Sequence, residues 1–360
     1  MTKSGECLSY IQLTYPVKVK DLKADDIQIK WNDKCLDIAK IKKLNKNTFK
    51  IDLNQTTQDL YTFMFNLETM SNVFRPLKFE IIQVAEVMRE LGWKIKSNKI
   101  SFEITIEELE ISKVFKPYQF IDTNGGMLSY RLYDSKCGGK KPLIIFLHGS
   151  GERGEGNSLP LLCNNVPTTF FEYARDVEDA IILLPQAPWN SMVGGWCFDQ
   201  NAFNLKELIS FISKGYPVDK NRIYLSGISN GASGVWNLLR EQPEMYAAAI
   251  SISGYLYPKR EKEKTFINGA SYVAVTPSHV EMLKQIPIWI FHAEDDQVVS
   301  VKNSQSFLNS LYLIGNKEVY YTEYKRGVIS PNPHASWELA FNEKELLPWL
   351  FSKRKHIHRQ

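Results

Sequence analysis

The sequence predicts an α/β domain, a mostly parallel sheet with helices on both faces, preceded by a small all-β sandwich. Three observations carry this. After Pro117, nearly continuous apolar runs alternate with helical patterns; before about residue 110, short runs alternate apolar with polar residues. Between two of the later elements, the β-branched and apolar run Ile223-Tyr224-Leu225 meets Gly227-Ile228-Ser229-Asn230-Gly231, followed by small residues and the helical pattern Val235-Trp236-Asn237-Leu238-Leu239.

In the front part, Leu8 to Val19, Ile27 to Trp31, Thr48 to Leu53, Tyr61 to Leu67, Leu77 to Ile82 and Lys99 to Ile106 read as strands separated by polar turns. Phe49-Lys50-Ile51-Asp52-Leu53 and Ile100-Ser101-Phe102-Glu103-Ile104 are period-two patterns, suited to an antiparallel sheet with one wet face. Val84 to Leu91 fits a helical turn as well as a strand. The change of period near residues 112 to 118 divides the chain into a β-rich domain, 1–116, and a second domain, 117–360.

In the second domain the strand candidates are Pro142 to Leu147, Ala180 to Leu184, Arg222 to Leu225, Ala247 to Ile252, Ile288 to Phe291 and Val319 to Tyr324. Several lack alternation, as strands covered on both faces do. Leu205 to Ser213, Ser233 to Glu241, Ser304 to Leu313 and Trp337 to Phe351 are the helices between or after them.

The 360 residues are 44% hydrophobic and 23% charged, enough for a large core and about two domains. Lys and Arg number 44 against 40 Asp and Glu, so the net charge of +4 implies no field on the scale nucleic acid requires. The runs 259–264 and 353–356 read as solvated loop and tail. The first ten residues lack the apolar stretch of a secretory signal, and no apolar window spans a bilayer, so a cytoplasmic location without membrane attachment is expected. Five scattered cysteines without a C-x-x-C pair argue against a disulfide framework and a zinc site.

Ser229 sits where a strand must turn sharply into a helix. Glycine-sized neighbours make room for a serine held in a strained conformation at the helix N-terminus; the plainer alternative is a helix N-cap. Loops after strand ends collect at one sheet edge, where a serine nucleophile would need a base and an orienting carboxylate. Asp296, just past the strand Ile288 to Phe291, is the candidate acid, with Asp295 and Glu294 as rivals. His334, in the loop after the last strand, is the candidate base. His279 lies in an inserted loop, His356 and His358 in the tail, and His292 packs or braces the acid's loop. His148 belongs to "FLHGSGERGEG", whose glycine-rich backbone can turn an N–H toward the site, to pair with that of Asn230 in an oxyanion hole. The same letters spell G-x-G-x-x-G, the mark of a phosphate loop, but "EGNSLP" follows where a helix should open.

Through "LHGSGERGEGN", "PQAPW", "VDKNRIYLSGISNG", "FHAEDDQVV" and "HASW", residues 119 to 351 resemble α/β-hydrolase esterases of the dienelactone-hydrolase and feruloyl-esterase-like group. That group includes forms described as predicted peptidases with an N-terminal immunoglobulin-like domain. The resemblance implies the α/β-hydrolase fold, Ser229 as nucleophile, Asp296 as acid, His334 as base, and backbone oxyanion donors at Ser150 and Asn230. It also suggests that Trp196 borders the substrate pocket, although a core aromatic is an equal reading of that residue. Asn230 stands where many relatives have methionine, Ala232 and Ala293 where glycine is frequent, and Ser300 where proline is frequent. The front third resembles immunoglobulin-like domains in strand pattern alone.

The expected activity is hydrolysis of carboxylic esters through an acyl-enzyme, on a small-molecule substrate, needing neither metal nor organic cofactor. A prolyl-oligopeptidase-like serine peptidase is the alternative with the same triad, and a scaffold with a vestigial triad is the alternative of another class. Homo-oligomerisation through the N-terminal domain is a further expectation.

Overall fold

The structure is a computed structural model and describes residues 10–31, 34–54, 63–66, 69, 71–74, 78–88, 94–95, 99–103, 110–135, 137–189 and 195–355. The chain divides into two compact units, Met1–Asn66 with Asn72–Glu108, and Leu67–Ser71 with Leu109–Gln360. Helix Glu110–Val114 and strand Lys116–Ile121 lie in the second, which therefore begins ahead of residue 117.

In the first unit, strand Ile27–Trp31 buries Ile27, Ile29 and Trp31 and exposes Gln28, as its alternation dictates. It pairs with Lys34–Leu36 and Lys78–Gln83 in an antiparallel sheet completed by Lys99–Glu103. Thr48–Leu53 pairs with Tyr10–Thr14 and Ile38–Lys43 in a second antiparallel sheet. Ile29, Phe49, Ile51, Phe79 and Ile81 belong to one apolar core. Strand Ile38–Lys43 escapes the sequence patterns because it is a lysine-rich edge with no fully buried residue. The segment 84–91, where a helical turn was weighed, instead contains strand Val87–Met88, which pairs antiparallel with Lys94–Ile95; residues 89–91 lie outside the described residues. So do the outer parts of the predicted strands Leu8 to Val19, Tyr61 to Leu67, Leu77 to Ile82 and Lys99 to Ile106.

The second unit holds an eight-stranded sheet of β1 (Lys116–Ile121), β2 (Met127–Tyr133), β3 (Lys141–Leu147), β4 (Ile181–Gln186), β5 (Val218–Ile228), β6 (Ala248–Ile252), β7 (Ile288–Ala293) and β8 (Val319–Tyr324). Their order is β1-β2-β4-β3-β5-β6-β7-β8. The β1-β2 and β2-β4 pairings are antiparallel, and the remainder are parallel. β1 and β2 were not foreseen: β1 is an edge strand without a buried residue, so it carries no apolar run. In β3, Leu143 through Leu147 are all 0% exposed, and each such side chain contributes about 1.5–3 kcal/mol of burial. Helices α1 (Val166–Asp176), α2 (Asp199–Gly215), α3 (Asn230–Glu241) and α4 (Lys302–Leu313) run between strands. In α2, Leu205, Leu208, Ile209 and Ile212 form the buried stripe.

The predicted helix Trp337 to Phe351 is two helices, α5 (Trp337–Ala340) and α6 (Leu346–Ser352). The reason is Pro348, which lacks the N–H a helix interior needs and is accommodated only in the first turn of α6. Among the described residues no helix is long and apolar enough to cross a membrane.

Candidate active site

β5 is fully buried from Ile223 to Ile228 and passes directly into α3. Ser229, between them, has φ 52° and ψ −120°, a strained region for a side-chain-bearing residue. Its N–H donates to the Ile252 carbonyl at 2.9 Å, tying the turn to the end of β6. The flanking glycines answer to close approach. A Cβ on Gly227 would lie 2.4 Å from the Gly231 carbonyl oxygen, and one on Gly231 would lie 1.9 Å from that of Leu147. Helix α3 thus crosses the sheet with backbone against backbone.

Three loops converge on this serine. His334 Nε2 lies 2.9 Å from Ser229 Oγ, and His334 Nδ1 lies 2.7 Å from Asp296 Oδ2. Because the carboxylate can only accept, the network assigns the ring proton to Nδ1 and leaves Nε2 to receive the serine proton. Asp296 is fixed by its own loop: Oδ1 accepts from the N–H groups of Val298 (2.8 Å) and Val299 (3.0 Å). Burial alone would raise its pKa; the charge interaction with His334, with bonds from His292 and His334, outweighs burial and holds it well below the usual carboxylate range. Asp295 and Glu294, the rival acids, accept instead from the backbone of Gly327 and Arg326. On the other side of His334, Ser253 Oγ donates to its carbonyl at 3.1 Å and touches Ser336 Oγ at 2.6 Å. Ser253, just after β6, has the same positive φ as Ser229, 52°.

The loop after β3 lies against the serine, with the Cβ position of Gly149 3.6 Å from Ser229 Cβ. Its backbone is pinned group by group. Ala187 N–H donates to His148 Nε2 at 3.0 Å, which leaves the proton on Nδ1 to donate to the Gly149 carbonyl at 2.6 Å. Burial, opposed by the Gly149 bond and aided by nearby Arg153, brings the His148 pKa down to about 3, so the ring stays neutral. Gly149 N–H donates to Glu152 Oε2 at 2.7 Å, and Arg153 Nε donates to the Ser150 carbonyl at 2.8 Å. Glu152 also accepts from Asn164; burial raises its pKa to about 8 against the pull of these bonds. Since the Gly149 carbonyl faces His148 and the peptide is trans, the Ser150 N–H on that same peptide points the opposite way.

Residues 150–152 form a single 3-10 turn and no helix opens there, so the requirement of a phosphate loop is not met. Asn230 is the first residue of α3, and its side-chain Oδ1 accepts from Trp196 N–H at 3.0 Å. Of the two readings of Trp196, the core position is the one its burial matches. At 1% exposure it lies in the core rather than on a pocket wall, and its indole N–H donates to the His148 carbonyl at 2.9 Å. Of the remaining histidines, His279 Nδ1 accepts from Thr276 N–H, and His356 and His358 lie outside the described residues. Glu152, Arg153, Asn164 and Ser253 were not singled out in the sequence, because an acid or base in a glycine-rich run reads as solvated loop until its burial is known.

Residues 194–319 match the family model described as "Putative esterase". A thermostable esterase of known structure aligns with a TM-score of 0.78 and 28% identity, over 98% of this chain and 96% of that one. A puromycin hydrolase mutant complexed with PGG aligns with a TM-score of 0.50 and 10% identity, over 76% of this chain and 46% of that one. A ferulic acid esterase aligns with a TM-score of 0.48 and 15% identity, over 66% and 97%. A search of curated proteins returned no match. The fold is that of an α/β-hydrolase. With the family-model match and the similarity to the thermostable esterase, the chain is an ester hydrolase.

Proposed function

We propose that the protein cleaves carboxylic esters of small molecules as a serine hydrolase, with Ser229 as nucleophile, His334 as general base and Asp296 as the orienting acid. The observation that carries the proposal is the unbroken hydrogen-bond line from Ser229 Oγ to His334 Nε2 (2.9 Å) and from His334 Nδ1 to Asp296 Oδ2 (2.7 Å). Ser229 Oγ attacks the ester carbonyl carbon as its proton passes to His334 Nε2, and Asp296 stabilises the imidazolium that results. The carbonyl oxygen takes up negative charge, which the backbone N–H groups of Ser150 and Asn230 receive. Gly149 is set aside as a donor because its N–H is engaged by Glu152. His334 then protonates the leaving alcohol, the acyl group remains on Ser229, and water activated by His334 releases the acid. Trp196 contributes by holding the His148 carbonyl and, through its own N–H, the Asn230 side chain. The first unit is read as an immunoglobulin-like module and a candidate surface for self-association.

The test is turnover of short nitrophenyl esters and of peptide amides, with labelling by a fluorophosphonate. Ester turnover and label on Ser229 are expected, with Ser229→Ala, His334→Ala and Asp296→Asn each lowering kcat by roughly 10⁴ or more while the fold persists. Asp295→Asn should stay near wild type. Amide turnover outpacing ester turnover would make the enzyme a peptidase, and an unlabelled, inactive protein would make it a scaffold.

A further inference from the structure

We infer that His292 is a second histidine acting on the acid, a positioning residue that shares one carboxylate oxygen of Asp296 with His334; this rests on the serine-hydrolase reading above. His292, on β7, is 0% exposed, and its Nε2 lies 3.1 Å from Asp296 Oδ2 and 2.9 Å from the Val299 carbonyl. Both are acceptors, so the network places a proton on Nε2, and Nδ1 takes the hydroxyl proton of Ser304 at 2.7 Å. Bracing the loop needs no more than the bond to Val299. The bond to Oδ2 does something else. Oδ1 is already occupied by two backbone N–H groups, so both imidazoles must draw on the single remaining oxygen. A donor on that oxygen withdraws charge from it and lowers its basicity. His292 thereby weakens the grip of Asp296 on the imidazolium of His334 while fixing the plane of the carboxylate.

The other ionisable groups near the pair are Glu323 on β8, which accepts from Gln305 and Tyr321 and feels the charge of Lys325, and the loop acids Glu294 and Asp295, which are tied to backbone. The hydrogen bonds that tie these three acids do not involve His292.

The experiment is the pH profile of kcat/KM for His292→Ala and His292→Gln, with thermal unfolding and fluorophosphonate labelling alongside. With the plane of the carboxylate no longer fixed, His334 loses its alignment and kcat should fall about 10- to 100-fold in His292→Ala. It should also move the acidic limb up by about one pH unit, because the unshared carboxylate holds the imidazolium more tightly. Glutamine, whose amide N–H can reach Oδ2 and whose oxygen can accept from Ser304, should return the limb to within about 0.3 unit of wild type. Where the alanine variant fails to fold, His292→Asn, with an amide that reaches Ser304 but falls short of Asp296, should behave as alanine is expected to. A folded variant that loses kcat with an unmoved limb makes His292 a loop brace and overturns the inference, as does a wild-type kcat. The two failures are distinguishable: Ser229→Ala at full activity removes the serine-hydrolase reading and this inference with it, whereas a labelled, active wild type with an unmoved limb in the variants removes this inference alone.

Discussion

Gly231→Ala is the sharpest perturbation of the strand-to-helix crossing. The added Cβ would lie 1.9 Å from the Leu147 oxygen, 2.5 Å from the Leu147 carbonyl carbon and 2.6 Å from the His148 oxygen, where ordinary contact begins at 3.4 Å. All three atoms are backbone of the central strand or its loop, so no side chain can swing aside. Relief requires helix α3 to retreat from β3 by about 1.5 Å, the shortfall in the closest contact. Overpacking of this kind costs about 3 kcal/mol or more, at the upper end of its range. For a unit of this size that is a fall of about 6–12 °C in Tm. Ser229 begins the retreating helix, so its Oγ leaves His334, and a misplacement near 1 Å is worth about 10² in kcat. Differential scanning fluorimetry and nitrophenyl ester turnover read the two effects. Gly215→Ala is the control: its Cβ position meets nothing within 4 Å and its φ is not left-handed, so it should be neutral or slightly stabilising. Gly231→Ala with wild-type Tm and turnover would refute the argument that close backbone approach requires this glycine.

Two further outcomes follow from the same site. His148 is buried neutral, its pKa lowered to about 3, so the unfolded chain binds more protons than the folded one between that value and about 6.5. Its contribution to stability is complete above about pH 6.5 and is lost as pH falls toward 3, at up to about 1.4 kcal/mol per unit; the slope of Tm against pH over this window should flatten in His148→Gln, and an unchanged slope would assign the acid sensitivity elsewhere. Ser150→Ala keeps the backbone N–H and should turn over ester nearly normally, whereas Ser150→Pro removes it and should lower kcat about 10²- to 10³-fold at similar Tm, with fluorophosphonate labelling slowed but retained. Equal turnover by the two would place the donor at another residue.

What was legible in the sequence follows the strength of local patterning. β3, β4 and β6 were readable because residues such as Leu143 to Leu147 are apolar without a break, which only double-sided burial explains. Ser229 was readable because the glycines beside it answer to one local fit. Asp296 was separable from Asp295 and Glu294 only in three dimensions, since all three are acids in one short loop and direction alone distinguishes them. β1 stayed hidden because an exposed edge strand makes no demand on side-chain polarity. Trp196 stayed open between two readings for a related reason: a tryptophan N–H serves equally at a pocket wall or beneath a loop, and its partner, the His148 carbonyl, is distant in sequence. The pinned backbone around Gly149 belongs to the same group, because Glu152 and Arg153 reveal their roles only once buried.

The order of the sheet also carries a message about time. Ser229, Asp296 and His334 follow β5, β7 and β8, and β8 is the outermost strand, paired with β7 alone. During refolding, contacts between segments far apart in the chain form late, because each must first close a long loop. The indoles of Trp196 and Trp236, packed in the core, would register the collapse of the central layer through their fluorescence. Turnover would return later, when the 105-residue separation between Ser229 and His334 is closed and the proposed triad is assembled. The enzyme's own product would then serve as the clock for the final step of its assembly.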